Sequence, residues 1–367
     1  MKKLKIAFIE DDTADGGLGM VFRSLANFFS EQDDVYYIST RSNGGRISED
    51  IKYVRLNEKR KFTPHTNGIR RSLSSVGILH NELKKINPDV VISFGFYSNI
   101  RLCLACKGLK CKVLISERGN ATRFKGIYRF IITTLLSRTD CIVFQSLAAK
   151  RAYPTLLGKK GVVINNALFK GNLPDSTKAQ WNPRIVSVGR IHPDKNFTLL
   201  LDAFSTITSK FPNYRLEIYG EEEPGSPEPY LKQLKDHAMK LGIYDKVDFM
   251  GQSTDVGHSI SGARLFVLSS VLEGMPNALI EAMACGLPCI TTDFLPGCAN
   301  EIITDSVDGC IVANCDVKAL SEKICEVLSD DEWSRNMAEK AIDIRKRFSK
   351  NKIFHEWRET VEQLCSN

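Results

Sequence analysis

The densest chemistry in this 367-residue chain lies in Ser269-Ser-Val-Leu-Glu-Gly-Met-Pro-Asn-Ala-Leu-Ile-Glu-Ala-Met-Ala-Cys-Gly-Leu-Pro. Two carboxylates, Glu273 and Glu281, stand there with seven residues between them. A carboxylate can accept hydrogen bonds from both of two vicinal hydroxyls, the pattern that a ribose or a hexose presents. Pro276 suits the first turn of a helix, Ala278 to Ala284 carry the helix, and Gly286 and Pro288 stop it. Glu273 then sits in the loop before the helix, and Glu281 about one and a half turns into it. The N–H groups of such a helix start suit a phosphate. Alone, Glu273 is an ordinary helix-start charge and Glu281 an ordinary surface residue. Glu281 stands among Leu279, Ile280, Ala282, Met283 and Ala284, however, and the pair within this block is far more specific than either member.

Two further clusters fall after predicted strands. Asp15-Gly-Gly-Leu-Gly-Met opens a helix, and Gly16 and Gly17 permit close backbone approach to a phosphate or a sugar. The spacing is not Gly-x-Gly-x-x-Gly, which disfavours a dinucleotide site. An ordinary loop is the competing reading. Ser116-Glu-Arg-Gly-Asn ends a strand and points Glu117 and Arg118 toward the edge where α/β sheets bind ligands; a structural ion pair would place them equally well. The six histidines show no metal spacing. Cys103, Cys106 and Cys111 begin a metal-like pattern, but no second Cys-x-x-Cys or His pair completes it, and buried thiols explain them better. The eleven cysteines are expected to be reduced.

These residues need elements to position them. Short β-branched runs at Lys5–Glu10, Val35–Ser39, Val90–Phe94, Lys112–Ser116 and Cys141–Phe144 predict parallel strands covered on both faces. Helices are predicted over Gly17–Ser30, Gly68–Ile86, Phe124–Leu136 and Leu147–Leu157. A polar linker is expected at Lys170–Gln180, after which the pattern restarts. Strands follow at Arg184–Val188, Arg215–Tyr219, Val247–Met250, Leu265–Leu268 and Pro288–Thr291. Helices fall at Phe197–Phe211, Pro229–Leu241 and Pro276–Cys285, and the tail reads as helix over Val317–Ser329, Asp331–Arg347 and Lys352–Cys365. The expected class is α/β, with two Rossmann-like doubly wound domains facing across a cleft. The length agrees, since one core seldom grows past about 250–300 residues.

Hydrophobic residues make up 43% of the chain and charged residues 25%, a globular composition. No apolar run approaches the roughly 18–20 residues that span a bilayer. The first apolar run stops at Glu10, too short for a signal-peptide core, so a cytoplasmic location is expected. The net charge of +7 hides an asymmetry: residues 1–180 hold 30 Lys/Arg against 15 Asp/Glu, and residues 181–367 hold 20 against 28. The basic half suggests an anionic partner: nucleic acid, an anionic membrane surface or a phosphorylated substrate. The absence of any nucleic-acid-binding motif disfavours the first. Membrane contact is expected around Lys59-Arg-Lys-Phe-Thr-Pro-His, Arg70 and Arg71, with Ile69, Leu73, Val76 and Leu79 on an apolar helical face.

The block from Glu273 to Pro288 resembles the Glu-x7-Glu signature of family 4 retaining glycosyltransferases, which have the GT-B fold. Val186-Ser-Val-Gly-Arg-Ile-His-Pro-Asp-Lys-Asn-Phe, Leu216-Glu-Ile-Tyr-Gly, Phe249-Met-Gly, Pro296–Glu301 and Asp308-Gly resemble further segments of that family in order. The resemblance implies an acceptor domain over 1–175 and a nucleotide-sugar domain over 181–349, with a terminal helix over 350–367 returning to the first. It implies that Arg190 and Lys195 grip the donor diphosphate, a role two cations suit because charge grows on the leaving group. Glu273 would stand beside the transferred sugar as the third catalytic residue, and Glu281 would bind the ribose. Gly16, Gly17, Gly189, Gly220, Gly251, Gly274, Met275, Pro276, Asn277, Ala278 and Leu279 would line the donor, and Glu117 and Arg118 the acceptor side. Some members carry a functional histidine near the Glu117 loop, but none occurs here between His80 and His192. No Asp-x-Asp occurs in the chain, so Arg190 and Lys195 would take the place of a divalent metal; neither metal nor cofactor is expected.

The resemblance thus implies a retaining hexosyl- or N-acetylhexosaminyl-transferase. It would use a nucleotide-sugar, by family default a UDP-sugar, and a saccharide or lipid-linked acceptor in surface polysaccharide assembly. The rival readings are a non-hydrolysing sugar-nucleotide epimerase and a non-catalytic sugar-nucleotide-binding protein.

Overall fold

Two parallel sheets organise the chain. The computed structural model describes residues 3–10, 17–39, 47–56, 75–118, 126–169, 171–222 and 229–366. They divide into one unit of Met1–Ala167 with Lys350–Asn367 and a second of Leu168–Ser349.

The first unit holds strands β1 (Lys5–Glu10), β2 (Asp34–Ser39), β3 (Lys52–Arg55), β4 (Val90–Phe94), β5 (Lys112–Glu117), β6 (Cys141–Phe144) and β7 (Gly161–Val163). Their order across the sheet is β3-β2-β1-β4-β5-β6-β7. Every pairing is parallel, with Ile6 opposite both Val35 and Val90. The order reverses direction between β1 and β4, the topological switch of a doubly wound sheet. β4 and β6 are buried at every residue, as continuous apolar runs in a sheet covered on both faces should be.

The second unit repeats the plan with β8 (Asn182–Val188), β9 (Arg215–Tyr219), β10 (Val247–Gly251), β11 (Ala263–Leu268), β12 (Cys289–Thr292) and β13 (Cys310–Val312). The order is β10-β9-β8-β11-β12-β13, again parallel throughout, with its switch between β8 and β11. Its core packs Leu200, Phe204, Leu216, Ile218, Leu265 and Val267.

Several expectations need correction. Leu147–Leu157 is two helices, Leu147–Ala152 and Thr155–Gly158, because the residue before a proline avoids helical ψ. Tyr153, ahead of Pro154, is extended with ψ 155°. Asp331–Arg347 is likewise broken, into Asp331–Ala341 and Ile344–Arg347. Residues 171–180 are not a loose linker. Ser176 N–H donates to the Cys285 carbonyl at 2.8 Å, and Arg345 donates to the carbonyls of Leu173 and Pro174 at 3.0 and 2.9 Å. This segment is fastened to the second unit. Of the predicted helix Gly68–Ile86, Val76–Ile86 is helical, while residues 68–74 lie outside the described residues.

The chain's last helix, Lys350–Ser366, belongs to the first unit. Ile353, Phe354, Trp357 and Val361 bury one face at helical spacing. Trp357 stacks on Phe94 at 5.3 Å between ring centroids, and Arg358 donates to the Asp33 carboxylate at 3.0 Å. Trp357→Ala should therefore remove about 3–5 kcal/mol of unfolding free energy. Urea denaturation followed by circular dichroism measures it; a loss under about 1 kcal/mol would show that the helix contributes little to the first unit.

Candidate functional site

In an open parallel sheet, ligands bind outside the carboxyl ends of the strands at the switch point. In the second unit that point lies between the loops after β8 and β11, and these two loops are tied together. Val271 N–H donates to the Asp194 carbonyl at 2.8 Å, and Ser269 Oγ donates to the Lys195 carbonyl at 2.9 Å. The Lys195 ammonium donates to Glu273 Oε1, which also accepts from Ser270 Oγ at 2.7 Å. Both charged side chains are largely buried, with 19% and 10% of their surface exposed. Such a pair needs extra hydrogen bonds to offset desolvation, and the Ser270 hydroxyl supplies one.

Local sequence explains how Lys195 arrives there. Pro193–Lys195 forms one turn of 3-10 helix, and Asn196 is left-handed at φ 48° before the helix Phe197–Ile207 begins. Gly189 clears the path, since a Cβ there would stand 3.1 Å from the Lys195 side chain. Gly220 is held more strictly. Its φ is +146°, and an added Cβ would fall 1.8 Å from the Gly189 carbonyl oxygen. The Gly220 N–H donates to the Gly251 carbonyl at 2.8 Å. These three glycines, at the ends of β8, β9 and β10, thus form the neighbouring edge.

Glu273 N–H donates to the Leu295 carbonyl at 3.0 Å, which fixes the loop ahead of the helix Asn277–Ala284. Within that loop the Gly274 carbonyl accepts from the Cys298 thiol at 3.3 Å, and Met275 and Pro276 are buried. Asn277, Ala278 and Glu281 are half-buried on the helix, with Glu281 in its second turn. Leu279 has a fully buried side chain, and its N–H donates to the Pro276 carbonyl at 3.1 Å. Arg190 is exposed at the same strand edge.

The remaining candidates belong to the first unit. Gly17 begins the helix Gly17–Ser30, and Gly16 lies outside the described residues. Glu117 and Arg118 do not form the alternative ion pair. Glu117 is buried at the end of β5, accepting from Asn99 Nδ2 and from Tyr153 OH at 2.8 Å. Arg118 donates to Ser116 Oγ at 2.8 Å and to Asn166 Oδ1, and its guanidinium lies over the Phe94 ring at 4.7 Å. Burial pushes the Glu117 carboxyl above its ordinary range, opposed by the two donors. Cys103 and Cys106 are buried thiols, as their sequence setting suggests.

Sequence reasoning missed Ser269, Ser270, Asn99, Tyr153 and Asn166. Ser269 and Ser270 lie in the block already singled out, directly after an apolar strand. The other three are far from their partners in the chain and carry no such signal.

Residues 172–344 match the family described as "Glycosyl transferases group 1", and residues 15–168 match "Glycosyltransferase Family 4". The chain is a family 4 glycosyltransferase of the GT-B fold. It is 26% identical over 367 residues to a Campylobacter jejuni enzyme, GalNAc-alpha-(1->4)-GalNAc-alpha-(1->3)-diNAcBac-PP-undecaprenol alpha-1,4-N-acetyl-D-galactosaminyltransferase, covering 98% of this chain and 99% of that one. In fold, the glycosyltransferase matches the sucrose-phosphate synthase of Thermosynechococcus elongatus with a TM-score of 0.85, at 19% identity over 99% of this chain and 100% of that one. Anabaena HepE in complex with UDP-glucose matches with a TM-score of 0.82, at 18% identity over 98% and 100%.

The raised Glu117 carboxyl gives this glycosyltransferase a testable pH signature. The folded state holds that proton more tightly than the unfolded chain, whose glutamates titrate near about 4.3. The resulting stability is complete below that value and is lost as pH rises through the raised one. Glu117→Gln should remove this fall, flattening unfolding free energy against pH upward from about pH 4. Urea melts at successive pH values check it; an unchanged slope would mean that Glu117 does not couple to folding.

Proposed function

We propose that this glycosyltransferase moves a hexose or N-acetylhexosamine from a UDP-sugar to a saccharide on a lipid-linked acceptor, with retention at the anomeric carbon. The single observation that carries the reading is the Lys195–Glu273 pair seated at the carboxyl-edge switch of the second unit. A cation fixed there neutralises charge that grows on a departing diphosphate, and Arg190 at the same edge adds a second. Glu273 orients the Lys195 ammonium and stands beside the transferred sugar; Glu281 accepts from the ribose hydroxyls. The bond from the sugar's anomeric carbon to the phosphate oxygen breaks as the acceptor oxygen forms its bond on the same face. The departing phosphate oxygen takes the acceptor's proton. Positioning and fixed charge supply the acceleration.

Three observations support the finer choices. The Campylobacter relative's name specifies an undecaprenol-diphosphate-linked acceptor, and HepE was crystallised with UDP-glucose. The absence of Asp-x-Asp from the sequence, with Lys195 and Arg190 at the edge, favours a metal-independent reaction. Residues 51–170 hold 23 Lys/Arg against 5 Asp/Glu, which suits an acceptor at an anionic membrane surface in surface polysaccharide or oligosaccharide assembly. Among the described residues, no helix is long and apolar enough to cross a membrane. The basic cluster from Lys59 to Arg71 lies outside the described residues, while Val76 and Leu79 of the apolar face expected beside it pack in the first unit's own core instead of facing a membrane.

Transfer assays on the purified chain test the charge assignment. Arg190→Ala and Lys195→Ala should each lower turnover by about 10²–10³, the usual cost of one fixed charge contact. EDTA should leave wild-type turnover unchanged. Loss of activity in EDTA that magnesium restores would overturn the metal-independent reading.

Calorimetric titration separates the two carboxylates. Glu281→Gln should weaken binding of UDP itself by about tenfold, the loss of one hydrogen bond to a charged group. Glu273→Gln should weaken UDP binding less than Glu281→Gln does and lower sugar transfer instead. Equal losses of UDP affinity would mean that the ribose and sugar roles are misassigned.

A further inference from the structure

The helix Gly126–Leu136 of the first unit is apolar on two sides. Ile132, Leu135 and Leu136 pack on the unit's core. Ile127, Phe130 and Ile131 project away from it, 65%, 67% and 55% exposed. Their spacing of three and four residues sets them in one stripe along a helix about 16 Å long. A helix apolar on all sides is ordinarily enclosed by protein or lipid. A contiguous exposed apolar patch with a polar rim marks an interaction surface.

The rim is cationic. Arg129 is exposed within the helix and Arg138 just beyond its end. The short helix Thr155–Gly158 packs alongside and adds Leu156, 54% exposed, with Lys159 and Lys160 exposed after it. Lys160 Nζ donates to the Ser137 and Thr139 carbonyls at 2.8 and 2.9 Å, which holds this cation at the helix end. The nearby exposed acid, Asp140, is engaged with the Val113 N–H at 2.7 Å. A self-complementary contact between two copies would set Arg129 and Arg138 against their own like charges. A surface of negative headgroups over acyl chains matches both features at once.

We propose that the helix Gly126–Leu136 is an interfacial anchor that docks the first unit on an anionic lipid bilayer. Ile127, Phe130 and Ile131 enter the headgroup–acyl boundary, and Arg129 and Arg138 meet lipid phosphates. The inference rests on the lipid-linked acceptor reading, since such an acceptor presents its saccharide at that surface.

Co-sedimentation of the full chain with vesicles tests it, using phosphatidylcholine alone and phosphatidylcholine with about one third phosphatidylglycerol, at low and high salt. Wild type should pellet with the anionic vesicles and be released by salt. The triple variant Ile127→Ser, Phe130→Ser, Ile131→Ser should partition about tenfold less, and Arg129→Glu with Arg138→Glu should do the same. Both variants should keep the wild-type melting temperature and normal transfer to a short-chain, water-soluble acceptor. Wild type that stays in the supernatant with anionic vesicles, or variants that pellet as well as wild type, would overturn the anchor. So would a lipid-free wild-type dimer that the triple variant makes monomeric, because a second copy would then be the occupant. Vesicle binding without transfer to any lipid-linked saccharide would sink the acceptor reading and leave the anchor standing. Transfer to a lipid-linked saccharide in detergent without vesicle binding would do the reverse.

Discussion

The bond from Lys195 to Glu273 joins loops that leave the second sheet on either side of its topological switch. Parallel strands covered on both faces leave little room for ionised groups along their length. Two buried strand charges are held by partners. Glu217 accepts from Arg184 and from Tyr219 OH, both at 2.8 Å, and Arg264 donates to the Val327 carbonyl and to Asp331. Reactive charge is therefore displaced to the carboxyl edge, where backbone ends and loops can hold it. The ties from Ser269 and Val271 to the Asp194–Lys195 turn make that edge one rigid piece. Gly189 and Gly220 let its backbones pass in contact.

The first unit solves the same topology with different residues. Its switch lies between β1 and β4, and there the carboxylate comes first: Glu10 ends β1 and pairs with Arg23 at 3.2 Å on the following helix. A Cβ on Gly19 would stand 3.0 Å from the Arg23 guanidinium and 3.2 Å from Glu10. Glycine after the first strand thus makes room for an ion pair here, whereas after β8 it makes room for a lysine stem. Fold dictates where the charged cluster sits; residue choice dictates its sign and what it can hold.

Much of this was legible from sequence because the strands are continuous apolar runs bounded by turn residues. β1, β4, β6 and β9 fall on the predicted residues. The helix Phe96–Ala105 was not legible, because burial reaches Ser98, Asn99, Ile100, Arg101, Leu102, Cys103 and Ala105 and leaves no polar stripe. β3, β7 and β13 span four, three and three residues, too few for periodicity to register. At the site, the motif block located Glu273 and Glu281 on loop and helix. It could not show that Ser270 shares Glu273 with Lys195, because that contact depends on how β8 and β11 pair. Nor could the partners of Glu117 and Arg118 be read, since Asn99, Tyr153 and Asn166 reach them only through tertiary packing.

The Lys195–Glu273 pair also bears on how the proposed reaction can be tuned. A largely buried ion pair gains little net stability, but removing one partner strands the other at a cost of about 3–5 kcal/mol. Glu273 therefore holds the Lys195 ammonium in place, and in the proposed reaction a phosphate would meet it without reorganisation. In the proposed reaction, a bound diphosphate would give the ammonium a second anion while Glu273 kept the first. Charge growing on the leaving oxygen would strengthen that second contact specifically, and interactions that strengthen toward the transition state accelerate the step. A lysine suits this better than an arginine would. Its compact ammonium carries three donors on a rotatable stem, so it can serve carboxylate, phosphate and one further acceptor without leaving its seat.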